Sequence, residues 1–223
     1  MNDVVGEVLP LAMGVAISPL PVIAAILMLL SPRARATSLG FLAGWLSGII
    51  VAAGTFVLAA SVLPGQDSTG SAPVAGTIKI ALGALMLVLA ARQWRSRPVP
   101  GEDARLPKWM SAIDAMNAVR AAGLGFLLAA VNPKNLLMAA GAGVTIGSAD
   151  LSAGGSVMTV VIFTLLAGCS VALPVVVALG AGQAVEGPLA RLRAGLVVHN
   201  AAVMTVVLAV IGVALVGQGI GSW

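Results

Sequence analysis

The sequence predicts an all-α integral membrane protein: six transmembrane helices arranged as two inverted three-helix repeats, with both termini extracytoplasmic. Three observations carry this expectation. Of 223 residues, 59% are hydrophobic and 9% charged, and the mean hydropathy is +1.06. A soluble domain carries about 25% charged residues, so a water-facing surface cannot be built from this composition. Next, the charges and turn residues cut the chain into six apolar stretches, and ~20 helical residues cross a ~30 Å hydrocarbon core. Last, the basic residues fall in alternate connections between those stretches. A soluble enzyme, a nucleic-acid module and a disordered adaptor are excluded; the net charge of +4 records membrane orientation, not a nucleic-acid partner.

The N-terminus has no basic region and no small-residue cleavage site, so no removable signal peptide is expected. The six spans are expected at 8–30, 38–61, 74–91, 121–145, 154–180 and 195–217. Their continuous apolarity, without a period of two, argues against an outer-membrane barrel. Arg33 and Arg35 follow the first span. Arg92, Arg95, Arg97, Arg105, Lys108 and Arg120 follow the third, and Arg191 and Arg193 the fifth. The opposite side holds Asp3, Glu7, Asp67 and Asp150 and no Lys or Arg, so the positive-inside rule makes the three basic connections cytoplasmic. Trp94, Trp109 and Trp223 fall at span ends, where aromatic rings prefer the headgroup layer.

The long polar stretch near the middle of the chain divides it into a first repeat over 1–92, a cytoplasmic linker over 93–120 and a second repeat over 121–223. Three spans per half is an odd number, so equivalent halves must sit upside down relative to each other, the plan of many secondary transporters. Within the linker, Trp109, Ile113 and Met116 recur at helical spacing beside Lys108 and Asp114, which fits either an interfacial helix or a solvated loop.

Two cations lie inside apolar spans. Lys79 is near the outer end of the third span and can snorkel; Lys134 is near the middle of the fourth, directly after Pro133, and has no such escape. Proline lacks an N–H and clashes with the carbonyl four residues earlier. Pro19 and Pro21 therefore free the carbonyls of Val15 and Ile17, Pro133 that of Ala129 and Pro174 that of Ser170. Broken helices in matching positions of the two halves, Ser18-Pro19-Leu20-Pro21 and Asn132-Pro133-Lys134-Asn135, point to a substrate path at the midplane. The candidate substrate-binding residues are thus Lys134, Asn132, Pro133, Asn135, Ser18, Pro19 and Pro21. The lone His199, followed by Asn200, is a candidate proton relay or gate together with Asp114 and Lys79. Gly40, Gly44 and Gly48 form a small-xxx-small face, which either packs a helix of the same chain or seams a homodimer. Cys169 stands alone, and no metal-ligand cluster, Walker A loop or dinucleotide motif occurs, so no cofactor, no metal and no enzymatic activity are expected.

The segment Pro10–Pro21, the Ser-Pro-Arg-Ala-Arg-Ala run from Ser31, Gly40–Trp45, the linker segment Leu106–Asp114 and Val131–Leu137 together resemble the GAP or sulfolipid-addressing family of actinobacterial membrane proteins. The resemblance spans both halves. That family is placed in the wider LysE exporter superfamily, whose members have six spans and an Asn-Pro motif near the start of each half. Here the first motif is Ser18-Pro19, which weakens an amino-acid or metal-ion substrate. The resemblance implies a bacterial cytoplasmic membrane protein that moves a glycolipid or lipid precursor towards the cell surface. The alternatives are a LysE-type exporter of amino acids or other small solutes, and an accessory subunit of a cell-envelope lipid synthesis or export machinery. Membrane lipids and the lipid or small-molecule substrate are the expected partners, with no nucleic acid.

Overall fold

A computed structural model of the chain describes residues 2–61, 71–96 and 108–221. Among these residues there is no strand. The helices run in chain order α1 (Asn2–Ala16), α2 (Pro19–Leu29), α3 (Ala34–Ser61), α4 (Ser71–Arg95), α5 (Ala118–Ala130), α6 (Pro133–Gly147), α7 (Ala153–Ala181) and α8 (Glu186–Ile220). A 3-10 helix over Lys108–Ala115 precedes α5, and another over Gly182–Val185 joins α7 to α8. Four helices, α3, α4, α7 and α8, are long and apolar enough to cross a membrane. The count rises to six if each bent pair is one span: α1 and α2 meet at 51°, α5 and α6 at 62°. Each half of the chain thus repeats one order, a broken pair followed by two long helices.

The expected spans fall on these elements, but helices overrun the expected domain boundaries. Helix α4 continues to Arg95 and α5 begins at Ala118, so the ends of the expected linker belong to helices. Residue Asp67, Trp223 and the side chain of Trp109 lie outside the described residues. Within the expected linker, Lys108–Ala115 form the 3-10 helix that precedes α5. It packs on α2, with Ile113 and Met110 buried and Asp114 exposed. Ile113, 2% exposed, is held against protein.

Packing crosses between the halves. Helix α3 lies against α5 and α6, α7 against α1 and α2, and α4 against α8. At the centre, Phe41, Trp45 and Phe163 are fully buried. The glycine face of α3 meets α5: a Cβ at Gly40 would strike the Ala118 carbonyl, at Gly44 the Ala122 carbonyl and at Gly48 Phe126 and Ala129. From the other side Gly125 receives the backbone of Phe41 and Trp45. Small residues allow such close backbone approach, and dispersion across the contact holds the pair where lipid offers no hydrophobic drive. This face is therefore filled within the chain and is not open for a homodimer seam. Helix α7 ends at Gly182, the one described residue with positive φ, 58°, a conformation a Cβ would strain.

Not every proline breaks its helix. Pro174 sits inside an uninterrupted α7, as Pro10 does inside α1. The breaks occur where the residue before proline is Ser18 or Asn132 and adopts an extended backbone. Pro174 removes the N–H that would reach the Ser170 carbonyl, yet α7 runs on through it, and Leu173 before it has no polar side chain to satisfy an interrupted backbone.

Candidate functional site

The two helix breaks face each other and are tied by side chains. Pro19 pushes Ser18 into the extended region at φ −113° and ψ 102°, and the Ser18 N–H turns back to the Ala16 carbonyl at 2.8 Å. In an unbroken helix that N–H would have reached Gly14, so the Gly14 carbonyl is left open. Pro21 has no N–H for the Ile17 carbonyl, which is open as well. The carboxyl end of α1 thus presents unpaired oxygens and the negative end of a helix dipole inside the protein.

Lys134 fills that end. The Asn132 side chain caps α6 by accepting the Lys134 N–H at 3.0 Å, which orients the first turn. From there the Lys134 ammonium crosses to the first break and donates to the Gly14 carbonyl at 2.6 Å, to the Ile17 carbonyl at 3.3 Å and to the Ser18 hydroxyl. Its three N–H bonds are all used. The Ser18 hydroxyl donates in turn to Asn135 Oδ1 at 3.3 Å, and Asn135 Nδ2 donates to the Leu128 carbonyl at 2.9 Å, close to the end of α5. Ser18, Lys134 and Asn135 are 3%, 3% and 2% exposed. One polar joint therefore ties the two breaks together, and among the described residues no carboxylate touches it. The cation is held by neutral oxygens alone.

Of the expected binding residues, the structure brings Ser18, Asn132, Lys134 and Asn135 together, with Pro19, Pro21 and Pro133 shaping the backbone that holds them. The open carbonyls that side chains reach are those of Gly14, Ile17 and Leu128; of the expected set only Ile17 is among them. Gly14 and Leu128 follow from the dihedrals at Ser18 and Asn132, which proline chemistry alone does not give.

The proposed relay residues are not part of the joint. Lys79 is buried and donates to Glu7 of α1 at 3.0 Å, so it does not snorkel to the surface. Glu7 precedes the first apolar stretch by one residue, and the continuation of α1 back to Asn2 is what brings it into reach. His199 is exposed and Asn200 half-buried, with the Asn200 Oδ1 buried and without a partner among the described residues. Asp114 is exposed and forms no ion pair with His199 or Lys134 among the described residues. Trp45 Nε1, Thr145 Oγ1, Thr164 Oγ1 and Ser170 Oγ are further buried polar atoms without partners there. Among the described residues no group of three or more His, Cys, Asp or Glu side chains could hold a metal ion.

A family model described as Sap, sulfolipid-1-addressing protein, matches residues 8–221. No curated protein and no solved structure matches.

Proposed function

This chain belongs to the sulfolipid-1-addressing protein family, and from that premise we propose that it is a secondary translocator that moves an anionic, amphipathic lipid outward across the bacterial cytoplasmic membrane. The family's description links it to sulfolipid, a molecule with an acidic head and apolar chains. The observation that carries the reading is the joint at the two helix breaks: a buried ammonium held only by neutral acceptors. Such a cation gains more from an anionic head than from backbone carbonyls, because an ionised acceptor adds the attraction of a full opposite charge, which is strong where water is excluded. The sulfate or phosphate of a lipid would take the place of the Gly14 and Ile17 carbonyls on Lys134, while Ser18 and Asn135 supply further hydrogen bonds.

Exchange of those acceptors loosens one half from the other, since Lys134 and Asn135 belong to the second half and Gly14, Ile17 and Ser18 to the first. The repeated order of a broken pair and two long helices, and the packing of each half's first long helix on the other half's broken pair, support an inverted-repeat transporter rocking about this joint. Kinship with LysE-type exporters is part of the same proposal. That no carboxylate among the described residues touches the joint favours an anionic over a cationic substrate.

The test is lipid analysis of cell-surface extracts and cell-associated lipid, with the gene deleted and with wild-type or Lys134→Gln protein restored. Deletion is expected to deplete an acidic surface lipid and raise its cell-associated pool, wild type to restore both, and Lys134→Gln at equal protein level to restore neither. Unchanged surface lipid on deletion overturns the proposal. Surface lipid restored in full by Lys134→Gln removes Lys134 from it.

A further inference from the structure

A second feature lies at the basic end of the molecule, away from the joint. A groove of about 210 Å³ opens between the end of α2, the start of α3, the end of α7 and the start of α8. Leu29, Leu30, Ala178, Leu179 and Leu189 make its walls apolar. The volume is below the ~300 Å³ at which drug-sized sites begin, so it takes a chain end and not a whole lipid.

Charge surrounds this apolar slot. Ala34 is in its lining, and the exposed Arg33 and Arg35 flank Ala34 on either side. On α8, Arg193 follows Leu189 by four residues and Glu186 by seven, the spacing that places all three on one helix face. Arg193 is half-buried, consistent with that face turning towards the groove. One acid opposes these three arginines: Glu186, exposed in the first turn of α8, where a carboxylate stabilises the positive helix end. The local balance remains positive.

We propose that this groove is a lipid-docking site that takes an acyl chain of an anionic membrane lipid, with the acidic head against Arg193, Arg33 and Arg35. An apolar slot with a cationic rim at the level of the headgroups is complementary to that class of molecule and to no soluble anion, because a free phosphate or sulfate has nothing to place among the leucines. The site lies between the two halves, with α2 and α3 on one side and α7 and α8 on the other, so an occupant contacts both. It deepens the proposed lipid translocation by giving the substrate a place to load from the basic side, and it rests on that reading.

The experiment uses the full chain in nanodiscs of phosphatidylcholine containing a trace of phosphatidylglycerol or phosphatidylcholine with a photoreactive group on one acyl chain. Cross-linked peptides are mapped by mass spectrometry. The phosphatidylglycerol probe is expected to label the peptides that carry Leu29, Leu179 and Leu189 in preference to the phosphatidylcholine probe. Arg193→Gln is expected to cut that preference about five-fold, the worth of one cation at an anionic membrane surface. Leu189→Trp fills the slot and is expected to abolish the label; Ala178→Leu repeats the test from the opposite wall should the tryptophan protein not fold. Equal labelling by both probes, labelling that survives both filling variants, or a groove occupied instead by residues 97–107 or by a second copy of the chain overturns the site. Labelling at the groove with no change of surface lipid on gene deletion keeps the site and sinks the translocation reading. Loss of surface lipid without groove labelling does the reverse.

Discussion

Lys134 is the residue whose environment decides most. Placing a cation at membrane depth costs about 2.5–3.5 kcal/mol on insertion scales, and three hydrogen bonds at the end of α1 offset it. Lys134→Met would remove the charge but leave the Gly14 and Ile17 carbonyls and the Ser18 hydroxyl short of a donor. Each unsatisfied buried group costs about 1–3 kcal/mol, so the variant is expected to unfold at a clearly lower denaturant midpoint in detergent. A midpoint equal to wild type would show that water replaces the ammonium. Lys79 and Glu7 call for a different comparison, since Lys79 is buried while Glu7 is half exposed. Glu7→Gln strands the ammonium and is expected to destabilise more than the double change Glu7→Gln with Lys79→Met, measured in the same unfolding assay. At this scale the sequence disclosed the donors and not the acceptors. An isolated lysine in an apolar run is conspicuous whatever its surroundings, whereas the Gly14 carbonyl becomes available only through the dihedral angles of Ser18.

Among the elements, the contrast between prolines that break helices and prolines that do not has a local cause. Ser18 and Asn132 offer side-chain hydrogen bonds at the point of interruption; Leu9 before Pro10 and Leu173 before Pro174 offer none, and those helices continue. Asn132→Ala is expected to cost about 1 kcal/mol, the usual worth of an N-cap, readable as a lowered thermal midpoint of the purified protein. The α3 and α5 pair is more sensitive. A methyl group at Gly44 meets the Ala122 backbone, which cannot rotate away, so Gly44→Ala is expected to cost about 1–3 kcal/mol by overpacking. The same change at Gly54, with nothing near its Cβ position, is expected to be silent. Helix existence and the two breaks were legible from apolar length and the polar-residue-proline pairs. The packing of the glycine face was left open by the sequence between a partner chain and the chain itself, because small-residue spacing says how closely a neighbour approaches and not which neighbour it is.

For the molecule as a whole, the charge pattern makes a topological prediction that geometry without a membrane does not contain. In a Cys169→Ser background, a cysteine at Asp67 is expected to react with an impermeant thiol reagent added to intact cells, and one at Ser96 only after the cells are opened. The reverse pattern would invert the positive-inside assignment. A sequence legible as a series of apolar helices nevertheless hid its cross-packing, for the contacts of α3 with α5 and of α7 with α1 join residues that no local pattern relates. The joint between Ser18 and Lys134 adds a matter of timing. These residues are 116 positions apart, and synthesis at roughly 5–20 residues per second separates their appearance by about 6–23 s. Through that interval the open end of α1 is already made and its donor is not. The nascent first half must be sheltered by water or by the insertion machinery until the second arrives, and a chain that stops before Lys134 is left with an unfinished helix inside the bilayer.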